Sequence, residues 1–231
     1  MGDTKRDGRD RRTRLLAAAL MVTSAACVFV FAEKQPQPLP KAFHANTYPA
    51  HEAHEGEKVS IAADPYDMPD KAAIFVVNYK ASGLLPLQFI ISNDGDQAIS
   101  LVDMQVELIT ADRSKIPPAT VDDLYRRLSR QKRRGDEPAR NPLPVPLPRS
   151  KVKSTVSREA QMEIESMQFL ARAVEPHSLQ SGFLIFDVQG IPNPLAGARL
   201  YVHGLRDADG KELFYFEIPM EKYLTYRPGH P

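Results

Sequence analysis

Proline sets the first limit on this chain. Twenty prolines are distributed along 231 residues, and each removes a backbone donor and fixes φ, so a bundle of long helices is excluded. Between them the text is largely β-branched and aromatic. In one stretch Val102, Met104, Val106 and Leu108 alternate with Asp103, Gln105 and Glu107. A period of two puts one set in a core and the other in water. The chain is therefore expected to be mainly β. With 42% hydrophobic and 26% charged residues it can build one domain of ordinary size plus accessory segments.

Other strands read less cleanly. Ala72 to Tyr79, AAIFVVNY, suggests a strand buried on both faces. In LLPLQFIISN, Leu87, Phe89 and Ile91 share one face while Gln88 and Ser92 share the other. NDGDQ then supplies a turn in which Asn or Asp bonds its own backbone and glycine takes positive φ. Past Pro176 come Ser181–Val188, Ala198–Leu205 and Glu212–Pro219, the last with Phe214, Phe216 and Ile218 alternating with Tyr215 and Glu217. DADG joins the final two as a hairpin turn; it lacks the twelve-residue spacing of a calcium loop. With a short strand near KVSIAA the count is about seven, which fits an antiparallel sandwich. Phe89, Val106, Phe186 and Phe216 are expected to share its core.

A helical insert, residues 118–175, interrupts a β-sandwich domain spanning 71–219. Thr120 caps a helix with Asp122 and Asp123 in its first turn and Val121, Leu124, Tyr125 and Leu128 on one stripe. Proline at every second position from 142 to 148 gives a stiff extended segment. A second helix follows, with Ala160, Ile164, Met167, Ala171 and Val174 at helical spacing and Met162 off the stripe. The flanking strands can pair only if the insert leaves and returns near one edge, docked through Leu124, Leu128, Ile164 and Met167.

The N-terminus addresses location. Residues 1–14 form a basic arm with Lys5, Arg6, Arg9, Arg11, Arg12 and Arg14 against Asp3, Asp7 and Asp10. Leu15–Ala32 is eighteen residues without a charge, short for a bilayer span and long for a signal-peptide core. Arginine ahead of it keeps the arm in the cytoplasm and sends the rest across. An uncleaved single-pass anchor is favoured. Cleavage after Ala32 would instead give a secreted protein. A third route is lipidation: TSAAC, ending at Cys27, resembles the lipobox of bacterial lipoproteins, with Ser24 where that family has an aliphatic residue. Cys27 is the single cysteine, so no intrachain disulfide can form.

Residues 33–70, rich in proline and charge, read as a tether, and 220–231 as a C-terminal tail. Within the tether, HEAHEGEK concentrates histidine and glutamate. A zinc protease motif needs histidines at i and i+4 on a helix, whereas His51 and His54 are at i and i+3. His44, His51 and His54 form the candidate metal set; the alternative is a solvated linker. No P-loop, dinucleotide fingerprint, nucleophile elbow or paired-cysteine motif occurs, so no catalytic residue is assigned and no cofactor is expected.

Net charge is +1, but the charge is unevenly placed. Arg126, Arg127, Arg130, Lys132, Arg133, Arg134, Arg140, Arg149, Lys151 and Lys153 stand against only Asp136 and Glu137. Such a cluster is either a solvated face or a contact for an anionic surface. No aromatic residue is interleaved after Tyr125, which argues against nucleic acid.

LPLQFIISNDGDQAISLVDMQVELITADRSKIPP and PHSLQSGFLIFDVQGI resemble immunoglobulin-like β-sandwich accessory domains of bacterial lipoproteins and other membrane-anchored exported proteins. The resemblance implies a sandwich used for binding or spacing. The expectation is a non-enzymatic binding or assembly module, held in the membrane by Leu15–Ala32, with its domain periplasmic or at the cell surface. Its partner would be an envelope protein or anionic surface polymer. The alternative is a metal-handling exported protein using the three histidines.

Overall fold

Leu84–Asn93 is the spine of the structure: ten consecutive residues, all buried. The computed structural model describes residues 38–135 and 156–225, which belong to one compact unit, Gln35–Pro231. In chain order the strands are β1 (His51–His54), β2 (Val59–Pro65), β3 (Leu84–Asn93), β4 (Ile99–Ser100), β5 (Gln105–Ile109), β6 (Lys115–Ile116), β7 (Ala173–Val174), β8 (Ser178–Asp187), β9 (Arg199–His203) and β10 (Phe216–Pro219). The α-helices are α1 (Pro69–Ala72), α2 (Val121–Gly135), α3 (Arg158–Met167) and α4 (Glu221–Thr225). One sheet runs β1-β2-β3-β8 and a second β10-β9-β5-β6, while β4 and β7 form a small ribbon. All pairings are antiparallel. The described fold is thus mainly β with few helices.

The period-two pattern explains the layers. Leu85, Leu87, Phe89 and Ile91 of β3, with Ile61 of β2 and Phe186 of β8, meet Val106, Leu108, Leu200, Val202, Phe216 and Ile218 from the second sheet. The four side chains expected to share a core do so. Each fully buried phenylalanine contributes about 1.5–3 kcal/mol relative to exposure. The opposite face of the first sheet is covered too: Leu84, Phe183 and Ile185 pack against Leu124, Ile164 and Met167 of the insert, and Ala62 and Ile90 pack against Ala45. A strand covered on both faces reads as continuous apolar text.

The insert leaves and returns along one strand. Ala119 N donates to Ile185 O at 2.7 Å, and Phe169 N donates to Phe183 O at 3.1 Å, so both crossings hydrogen-bond to the free edge of β8. Gly182 permits the second crossing, since a Cβ there would lie 2.6 Å from Phe169 Cα. The helices start as their caps dictate. Thr120 Oγ1 accepts from Asp123 N at 3.2 Å and donates to the Asp123 carboxylate at 2.7 Å, and Ser157 Oγ accepts from Ala160 N at 3.3 Å.

Several expectations need correction. The tether assigned to 33–70 contains β1 and β2, and β2 is buried throughout; its alanines and serine are small because two layers press on it. The domain therefore does not begin at 71. Residues 72–79 are not a strand but the end of α1 followed by turns and bends that lead into a 3-10 turn at Lys80–Ser82. Helix α3 ends at Met167, and Ala173–Val174 pairs with Ile99–Ser100 instead of continuing the helical stripe. The insert accordingly ends before 175. Val102 and Phe214 are 60% and 76% exposed because β5 and β10 begin only at Gln105 and Phe216. Gly95 is not at positive φ; it is small because a Cβ would stand 3.0 Å from Asn93 Oδ1, which accepts the Gly95 N–H. The described residues form ten strands where about seven were expected. The tail at 220–231 begins with α4, whose Tyr223 joins the main core.

Candidate functional site

The three histidines are not brought together. His44 Nδ1 accepts from Asn46 N at 3.3 Å, which leaves Nε2 to donate to Asp94 at 3.0 Å. His51 and His54, three apart on β1, point to opposite faces. His51 Nδ1 donates to Tyr48 O at 2.6 Å. His54 stacks on Phe216 with ring centroids 3.9 Å apart and planes 12° from parallel. Its Nδ1 faces Glu57 at 3.0 Å and its Nε2 faces Glu52 at 3.4 Å. Two ring nitrogens aimed at different carboxylates cannot converge on one ion. Among the described residues no group of three His, Cys, Asp or Glu side chains is arranged to hold a metal.

HEAHEGEK instead closes a seam. The second oxygens of the same carboxylates accept backbone N–H groups at the edge of the other sheet: Glu52 takes Glu217 N on β10, and Glu57 takes Phe214 N in the segment leading into it, at 2.9 Å. An open strand edge is thereby satisfied by side chains. The segment joins β1 to β10.

The basic cluster divides. Arg127 turns back to the sheet, bonding Asp187 and Gln189. Arg126 is exposed, 3.7 Å from Asp123, whose carboxylate is held below its usual range by the Thr120 hydroxyl. Tyr125 links the two insert helices by donating to Glu165 Oε1 at 3.0 Å. Arg130, Lys132, Arg133 and Arg134 lie on the last turns of α2. Arg140, Arg149, Lys151 and Lys153 lie outside the described residues, as does Leu15–Ala32. Among the described residues no helix is long and apolar enough to cross a membrane.

A further site was not visible in the sequence. Where β3 begins and β8 ends, a cavity of about 530 Å³ opens, walled by Leu84, Leu85, Val188, Ile191, Leu195 and Leu224. Tyr66, Asp67 and Lys80 bring polar groups to it. A polar network backs the wall. Lys71 Nζ donates to buried Asp64 at 2.5 Å and to Pro65 O at 3.2 Å, lying 5.3 Å from the Tyr66 ring centre and 4.8 Å from that of Tyr223. Burial raises the Asp64 pKa and outweighs the opposing effect of Lys71. The phenol pKa values of Tyr66 and Tyr223 are raised, chiefly by burial. The cavity draws on residues far apart in sequence, so no local motif could announce it.

No protein-family model and no curated protein matches the chain. Among solved structures, the 2.2 Å crystal structure of a conserved hypothetical protein from Bacillus anthracis aligns with 70% of this chain and 87% of its own, at 9% identity and a TM-score of 0.28. That likeness is too slight to bear on fold or function.

Proposed function

We propose that the chain is a non-enzymatic, exported and membrane-anchored binding or assembly module built on an immunoglobulin-like sandwich. The connectivity supports the sandwich reading: β2, β3 and β8 face β5, β9 and β10, with the chain passing between the two sheets three times, after β3, after β6 and after β8. Leu15–Ala32, behind its arginine arm, would be the anchor.

Helix α2 carries the binding part of this reading. Leu124 is buried in the layer over the first sheet and Leu128 packs against it, while Arg127 is tied to Asp187. The helix is thereby fixed to the sheet, and its basic final turns continue beyond the apolar contact. A cationic end on a rigid mount suits an anionic envelope surface or an acidic partner. Using the portion from Glu33 onward, replacement of Arg130, Arg133 and Arg134 by glutamine should weaken co-sedimentation with anionic vesicles, and added salt should mimic the mutant. Thermal stability should barely change. Binding indifferent to both treatments would leave the cluster a solvated helix end.

A further inference from the structure

We infer that the cavity at the end of the sheets binds a small amphiphile with an apolar body and an uncharged head that both donates and accepts a hydrogen bond, as a carboxamide does. This rests on no part of the reading of helix α2. A volume of about 530 Å³ falls inside the usual range of small-molecule sites, about 300–1,000 Å³. The aliphatic walls come from β3, from the loop after β8 and from α4. That loop is tied to the start of β3: Val188 N donates to Gly83 O at 2.9 Å, and Gly83, at φ +71°, lies so close to Gln189 that a Cβ would stand 2.9 Å from Gln189 Cβ. The apolar chamber is held in shape before any ligand enters.

The head is specified by the two charged residues in the lining, Asp67 and Lys80. Asp67 Oδ1 accepts the Tyr223 hydroxyl at 2.9 Å, which orients the carboxylate and leaves Oδ2 as an acceptor. Lys80 Nζ reaches the Asp67 carbonyl at 3.4 Å, longer than a charge-assisted bond prefers, so its donors are available. A carboxylate head would meet Asp67 and an ammonium head would meet Lys80. A neutral carboxamide offers N–H to the first and C=O to the second, and therefore escapes both repulsions.

The chain contains no tryptophan, so one introduced indole reports from one place. Leu224, 47% exposed in the cavity lining, is the position for Leu224→Trp, in the full chain reconstituted in detergent-free phosphatidylcholine nanodiscs. Met162→Trp on α3, at a side chain 41% exposed and outside the lining, is the control. Hexanamide should shift the Leu224→Trp emission saturably and leave the control unmoved. Hexanoate and hexylamine should bind about tenfold more weakly. Asp67→Asn should restore hexanoate alone, and Lys80→Gln should restore hexylamine alone. Equal responses from both reporters, no saturation, or a ligand order unchanged by either substitution would overturn the inference.

Discussion

Glu163 does the work of a strand with one side chain. It is 5% exposed on α3 and accepts the N–H groups of Val76 and Val77 and the hydroxyl of Tyr79. Those bonds, with local turn bonds such as Phe75 N to Ala72 O and Tyr79 N to Val77 O, explain why AAIFVVNY, for all its β-forming residues, is not a strand: the donors of Val76 and Val77 go to a carboxylate 87 and 86 positions away. The tyrosine pKa is raised by burial and then by that carboxylate. The helical stripe of Ala160, Ile164 and Met167 was legible, but nothing in the sequence gives Glu163 beside it a role. Its partners were not legible, since nothing local names them. Glu163→Ala should cost about 1–3 kcal/mol in urea unfolding by stranding buried N–H groups, and glutamine should recover part of it. Lys71→Met makes a second residue-level test with a pH signature. Asp64 has a folded pKa above its unfolded value, so ionisation costs stability, a cost absent below the unfolded pKa and growing as pH rises through the folded one. Without its ammonium partner that cost increases. The variant should lose about 1–3 kcal/mol near neutrality and converge on the parent in acid, as read by melts across pH.

At the level of elements, period-two text was reliable where one or both faces met a layer and failed at the margins. Leu84–Asn93 is read to the residue, because seven of its ten positions are Leu, Ile, Phe or Pro and the turn text beginning NDG ends the run. The shortened β5 and β10 ended where neighbouring strands ceased to pair, which alternation alone does not encode. The tether was misread for a physical reason. Proline and charge usually mean solvent, but here Glu52 and Glu57 cap a sheet edge, and Pro219 lies on that edge strand, where a missing donor does no harm. The insert was legible as a layer because its helical stripe is strong and its strands had to find each other. Its return path depends on one backbone contact, so Gly182→Ala should be disproportionate for a single methyl. Phe169 backbone lies inside the new side chain's reach, and the shift required should lower the melting midpoint by the equivalent of about 1–3 kcal/mol. Alanine at exposed Gly56, where the space is open, should be far milder and serves as the comparison.

Among the described residues the helical insert lies on one sheet and the outer face of the other is open: Tyr201 and Tyr215 lie with ring centres 5.2 Å apart and planes tilted by 39°, Tyr215 is 52% exposed, and Arg199 pairs with Glu217. Such asymmetry gives the domain a covered side and an open side, while the cavity and the basic helix add two further features of different chemistry. Whether these surfaces meet the envelope or the cytoplasm depends on the segment Leu15–Ala32, whose charge asymmetry is a matter of sequence: six cations precede it within residues 1–14, and Glu33 with Lys34 follow it. Basic residues on one flank are retained on the cytoplasmic side. A phosphatase reporter that folds only outside the cytoplasm, fused after Pro231, should therefore be active, and a reporter that fluoresces only in the cytoplasm should be dark. Moving the charge should reverse the result: replacing Arg9, Arg11, Arg12 and Arg14 by glutamine while adding four lysines after Ala32 should drive a large fraction of the chains into the opposite orientation. A cytoplasmically active parent fusion would remove the export argument, and with it the reason to seek the partner of the basic helix in the envelope.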